Sequence, residues 1–177
     1  MKNYLIIICL LLSGSVLAQT PKFGHVNLEE LVHLTSARDS AVVKYQKAMA
    51  DMQEIYDEIQ TEYRVKLNEF QQRSAGWTAA ILEVKQRELV EMQQRLEAYG
   101  ESAGQELQVL QNSLFAPVFT QANEAIQKLA KELGLIYVFN SAGVIYIDEA
   151  QSINLMDRAK EALKVPAEKV SPTIIEP

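Results

Sequence analysis

Residues 45–70 read YQKAMADMQEIYDEIQTEYRVKLNEF. Tyr45, Met49, Met52, Tyr56, Ile59, Tyr63 and Phe70 recur there at alternating steps of four and three, with Lys66 the one polar residue on the frame. That spacing is a heptad seam, narrower than the stripe of an ordinary surface helix. The surrounding run from Ala37 to Ala116 has no proline, and its only glycines are Gly76, Gly100 and Gly104. Most of it is Glu, Gln, Lys, Arg, Ala, Leu and Met, which lose little on entering a helix. After a break at Ser74-Ala75-Gly76 the spacing resumes through Leu82, Leu89, Met92, Leu96, Tyr99 and Ala103, with Lys85 as the polar member. The pattern predicts one long antiparallel helical hairpin over residues 37–116, about 57 Å long at about 1.5 Å per residue. Two helices have no third layer, so the arm buries one seam and leaves its charged faces wet. Past Ala103 the frame moves to Leu107, Leu110 and Leu114. Gly100 and Gly104 each cost roughly 1 kcal/mol against alanine in a helix interior, and they invite bending or a close approach of the partner helix.

On the N-terminal side, Phe23-Gly24-His25-Val26 reads as a short strand. Asn27 and Glu30 have the spacing of a capping box for a helix from Leu28 to His33 that buries Leu28, Leu31 and Val32. Ser36 with Asp39 makes a second cap, where the long helix begins. On the C-terminal side, Pro117 is comfortable as the first residue of a new segment and disruptive inside a helix, so it marks a boundary. Phe119, Ala122, Ile126, Leu129 and Leu133 then form a wider stripe, expected to pack on a sheet, with Gly134 ending that helix. Leu135–Phe139 and Val144–Ile147, joined by Asn140-Ser141-Ala142-Gly143, carry a β-hairpin signal. Asn154 with Asp157 caps a last helix burying Met156, Ala159 and Leu163. The tail, 165–177, holds Pro166, Pro172 and Pro177 and is expected to be disordered.

Residues 1–18 have the character of a signal peptide: Lys2 precedes an apolar stretch from Tyr4 to Leu12, and small residues lead to a cleavage point after about Ala18. The apolar run is too short for a permanent transmembrane helix. The sole cysteine, Cys9, lies in this leader, so the exported chain has no disulfide and relies on packing or association. The whole chain carries a formal charge of −6, and losing Lys2 makes it more negative. Nucleic acid, which selects clustered positive charge, is a poor partner.

The body spans residues 19–36 and 117–164, and its compact part, 22–36 with 117–164, has 63 residues, near the lower limit for a stable core. Helices can cover one face of its sheet, yet the two strands of the expected hairpin are apolar on both faces. Other copies of the chain are the economical cover for the second face. Phe23, Val26, Ile136, Val138, Val144 and Tyr146 are the candidate oligomerisation residues.

The order of elements resembles the Skp/OmpH family of periplasmic chaperones. The resemblance spans the mature chain. It rests on the opening Phe23-Gly24-His25-Val26-Asn27-Leu28-Glu29-Glu30-Leu31, the long hairpin, the closing block from Ala125-Ile126 to Gly134, Tyr137-Val138-Phe139-Asn140, Ile145-Tyr146 and Ser152-Ile153-Asn154. It implies an α+β, mostly helical fold, with coiled-coil arms on a small sheet body that forms a trimeric barrel. It further implies an ATP-independent periplasmic holdase that binds unfolded outer-membrane proteins between the arms of a homotrimer. The family's usual basic arms are missing: residues 37–74 hold six basic and seven acidic side chains, and 77–132 hold five and eight.

A holdase needs adaptable weak contacts rather than a shaped pocket. Methionines and tyrosines at heptad positions serve the seam first, so apolar residues off it are the better contact candidates: Ile55, Val65, Val84 and Val90. Trp77 either joins them or caps the hairpin on Phe70. Transient contact with a membrane surface is a further expectation. The sequence carries no nucleophile–base set, phosphate loop or metal-ligand cluster, so the reading is of a non-enzyme without a cofactor. The rival is a structural coiled-coil adaptor or spacer of the envelope.

Overall fold

The computed structural model describes residues 22–167 and 169; the expected leader lies outside them. Strand β1 (Phe23–Val26) leads into helix α1 (Leu28–Leu34), whose first turn is capped by Asn27, its Oδ1 accepting from the Glu30 amide at 3.1 Å. Leu31, Val32 and Leu34 face the core. Thr35 alone separates α1 from α2 (Ser36–Arg73). Its hydroxyl donates to the Val32 carbonyl at 2.8 Å and accepts from the Arg38 amide at 3.2 Å, ending one helix and starting the next. The second cap is therefore Thr35, one residue before the expected Ser36. Thr35 is buried and satisfied on both sides, whereas Ser36 is exposed and already helical.

Helix α2 has 38 residues and turns through a short 3₁₀ segment, Ser74–Gly76, into α3 (Ala79–Leu133), capped by the Thr78 hydroxyl. The two helices pair along the expected seam. Ile59 and Met92 are buried there, and nearly all the other seam side chains are half-buried. The Tyr99 hydroxyl donates across the seam to the Met52 carbonyl at 3.3 Å. Tyr45 meets Phe115 edge-on near the body, with ring centroids 6.5 Å apart.

Two expectations fail. Pro117 is not a boundary: α3 runs through it for 55 residues. The proline removes one backbone donor, but Leu114 and Phe115 before it and Val118, Ala122 and Ile126 after it share one core. Burial on both sides of the proline outweighs the lost hydrogen bond. Arm and body are thus welded by one helix, and Val118 takes the buried position expected for Phe119. Gly134 does end α3 in the left-handed region, φ 64°, as a C-terminal glycine should.

Nor is there a β-hairpin. β2 (Tyr137–Asn140) and β3 (Ser152–Asn154) both pair parallel to β1, giving the order β2-β1-β3. The Asn140 side chain accepts from the Leu28 and Ala142 amides and donates to the Glu29 carboxylate. It thereby ties β2 to the start of α1 and stabilises a 3₁₀ turn at Ser141–Gly143. After that turn Val144–Ile147 runs outside the sheet, beside Phe23, His25 and Phe139, and forms no strand within the chain. The last helix, α4 (Met156–Ala162), packs with Leu155 and Ala159 fully buried. At the start of the tail the Val165 amide bonds to the Lys160 carbonyl, and Lys169 pairs with Asp39 and reaches the Thr35 carbonyl; the rest of the expected tail lies outside the described residues.

Candidate functional site

Alternation along β1 divides the body. Gly24 and Val26 face the helices; a Cβ on Gly24 would meet Leu135 at 2.7 Å and Leu155 at 3.3 Å. Phe23 and His25 therefore point to the other face. The register sets Phe23 beside Tyr137 and His25 beside Phe139, so three aromatic rings gather there. Phe23 lies 6.4 Å from Tyr137 and 6.2 Å from Phe139, centroid to centroid. His25 is buried and shares a hydrogen bond with the Ser152 hydroxyl at 2.9 Å, across β1 and β3. That is a structural role.

No helix of the described chain covers this aromatic group, since α1, α3 and α4 pack on the opposite side. Tyr137 and Phe139 are more than half or half exposed, Tyr146 is 80% exposed, and Ile145 is wholly exposed at 105%. Of the residues singled out in the sequence, Ile136, Val144 and Tyr146 are on the surface and Phe23 joins the aromatic group. Val138 is half-buried against the core. Val26 is a correction: at 3% exposure it belongs to the chain's own core and has no outward face. Tyr137, Phe139 and Ile145 were missed. The signal for the first two was the period-2 match with Phe23 and His25, legible only once β2 is paired parallel to β1.

On the arm, Ile55, Val65, Val84 and Val90 are all exposed, Val65 at 63%. They are spread along both helices rather than joined in one patch. Val43, Ile81 and Val109 are exposed in the same way. Trp77 packs edge-on against Phe70, centroids 5.7 Å apart, and so closes the hairpin tip while staying half-exposed.

The seam's two polar members converge on one carboxylate. Glu88 lies 2.9 Å from the Lys85 ammonium and 3.7 Å from that of Lys66 on the opposite helix. The hydrogen bond from Lys85 holds the Glu88 carboxyl below its ordinary range, helped by the charges of both lysines, and the same bond raises Lys85. Polar groups at seam positions select register at some cost in stability. Among the described residues no cluster of His, Cys, Asp and Glu is arranged to hold a metal ion, and no helix is long and apolar enough to cross a membrane.

This architecture has a counterpart among solved structures. A crystal structure of an OmpH-like protein from Caulobacter crescentus CB15, described as a candidate outer membrane chaperone, superposes with a TM-score of 0.73. The match covers 86% of this chain and 89% of that one at 11% identity, a likeness of fold. No curated protein matches the sequence. The sequence matches the family described as outer membrane protein (OmpH-like) over residues 22–163, from the first strand through the last helix. With sheet, arm and closing helix all inside that match, the chain belongs to the OmpH-like family.

Proposed function

We propose that this protein is an ATP-independent periplasmic holdase that keeps unfolded outer-membrane proteins soluble between the arms of a homotrimer. The observation that carries the reading is the aromatic face of the body that no helix covers, half-exposed Phe23 with exposed Tyr137 and Phe139, bordered by Val144 and by the exposed Ile145 and Tyr146. A contiguous apolar surface of this kind on an exported chain calls for a partner. Val144–Ile147, with its backbone outside the sheet, is a strand waiting for a neighbour's edge. Copies joined there share a body from which each arm projects through the continuous helix α3. The arms then enclose a common space whose walls carry scattered apolar residues and charged faces. Such walls suit many weak contacts with an unfolded chain. The Caulobacter protein, a candidate chaperone of like fold, supports this reading.

Two measurements test it together. Light scattering on the mature protein gives three times the chain mass; a stable monomer overturns the trimer. Substoichiometric protein keeps a urea-diluted outer-membrane barrel in solution without ATP. Failure with several barrels, together with tight binding to one folded envelope protein, replaces the holdase with the adaptor.

A further inference from the structure

Midway along the arm the seam is incompletely filled. Met49, Met52, Tyr56, Tyr99, Gly100 and Leu107 border a groove of about 260 Å³ that also runs past Gly104. The glycines open it. A Cβ on Gly100 would only reach ordinary contact with Tyr56, at 3.5 Å, and one on Gly104 would meet nothing within 4 Å. Neither glycine is therefore required by a close approach of the two helices. Both leave open space that a larger side chain would fill, although glycine is unfavourable inside a helix. Met49 is 48% exposed at the groove edge, the one seam residue so open. The volume is below the usual range of ligand cavities, roughly 300–1,000 Å³, and suits a side chain. Methionines re-pack around varied apolar shapes.

The charge around the groove is predominantly negative, with Lys47 at its edge paired to Asp51 at 3.2 Å. Between Lys47 and Arg64 there is no Lys or Arg, but Asp51, Glu54, Asp57, Glu58 and Glu62 occur. Between Arg95 and Lys128 the charged residues are Glu97, Glu101, Glu106 and Glu124. Gln53 lines both the groove and an adjoining open face formed with Glu54, Asp57, Glu58 and Glu62. Of those four, only Glu62 has a cation within ion-pair distance among the described residues. A second copy of the arm would bring the same negative charges and be repelled.

We infer that the mid-arm groove receives a bulky apolar side chain flanked by lysine or arginine in an unfolded polypeptide. The apolar group fills the space left at Gly100 and Gly104, and the flanking cations meet the carboxylates beside it. The inference rests on the holdase reading and adds a client preference: cationic amphipathic segments over anionic ones.

Short fluorescein-labelled peptides with the same apolar residues, flanked either by Lys and Arg or by Asp and Glu, are titrated with the full mature protein and followed by anisotropy. The cationic peptide binds about tenfold tighter at low salt, and the difference narrows as salt screens exposed charges. Gly104→Leu fills the groove and weakens the cationic peptide about tenfold, as loss of one buried apolar side chain implies. A triple variant, Glu54→Gln with Asp57→Asn and Glu58→Gln, removes the preference while keeping the apolar contribution. Circular dichroism confirms that both variants retain the helical arm. Equal binding of the two peptides, or a Gly104→Leu protein that binds unchanged, overturns the inference. If the same preparation still keeps a diluted barrel soluble, the holdase reading survives that failure. A clear cationic preference with a barrel that precipitates supports the groove and removes the holdase.

Discussion

Lys66 of the outgoing helix and Glu88 of the returning one lie 3.7 Å apart across the arm seam, and Lys85 closes the group from Glu88's own helix. Lys66 and Lys85 occupy heptad positions that elsewhere carry apolar side chains, and Glu88 sits between them beside the seam. A register slip would separate Lys66 from Glu88, so the pair holds the two helices in step.

This group makes arm stability depend on pH at both extremes. Glu88 titrates below its ordinary 4.5 in the folded arm, so its contribution is complete above that value and is lost as pH falls through the depressed one. Lys85 titrates above its ordinary 10.5, so its contribution is complete below that value and is lost as pH rises through the raised one. At neutral pH both are in place. Glu88→Gln lowers the arm's melting midpoint at pH 7, modestly because the groups are about a third exposed. The difference from the parent vanishes in acid. Thermal melts by circular dichroism across pH read both outcomes.

Ile59 is the most buried side chain of the arm seam. Ile59→Ala leaves a cavity that a two-helix arm closes only in part, at a cost of about 2–4 kcal/mol. The loss falls on the arm. Hydrogen exchange quickens along α2 and the facing part of α3, while amides of β1 and α1 keep their protection.

Val26 and Ile145 separate folding from assembly. Val26→Asp places a carboxylate in the core with Leu31, Val118 and Leu155. It removes the folded body outright, because an unpaired buried charge costs more than a small core can supply. Ile145→Asp alters a residue with no cover in the single chain, so the helical signal stays and the mass by light scattering falls to that of one chain.

Val65 and Ile55 have little to do with stability. Val65→Ser combined with Ile55→Ser changes unfolding in urea by less than about 0.5 kcal/mol per site. It weakens retention of an unfolded barrel severalfold, read from the protein concentration needed to keep the barrel soluble.

The parts of the fold that were legible are those set by neighbours in sequence. Asn27 capping α1, the turn at Ser74–Gly76, the seam from Tyr45 to Phe70 and the stop at Gly134 all follow from local spacing and dihedral preference. Pro117 misled because its local penalty is real, and only the shared core of Phe115 and Val118 shows why a helix bears it. Val144–Ile147 misled because its apolar run satisfies strand preference while its pairing partner is not supplied by sequence distance. The arm contacts chosen off the seam, Ile55, Val65, Val84 and Val90, proved exposed because heptad phase alone predicts which side chains turn outward. The body surface was only partly legible: Val26 and Tyr137 are both apolar strand residues, and β1's alternation together with β2's register sends one inward and the other out.

By itself, the sequence determined that the chain makes a long two-helix arm, since two heptad runs of similar length flank the break at Ser74-Ala75-Gly76 and each needs an apolar partner. Tertiary structure alone decided how that arm is attached and which surface remains open. Parallel pairing of β2 and β3 to β1 depends on burial among segments more than a hundred residues apart, and that burial also carries α3 through Pro117 and leaves Phe23, Tyr137 and Phe139 facing outward.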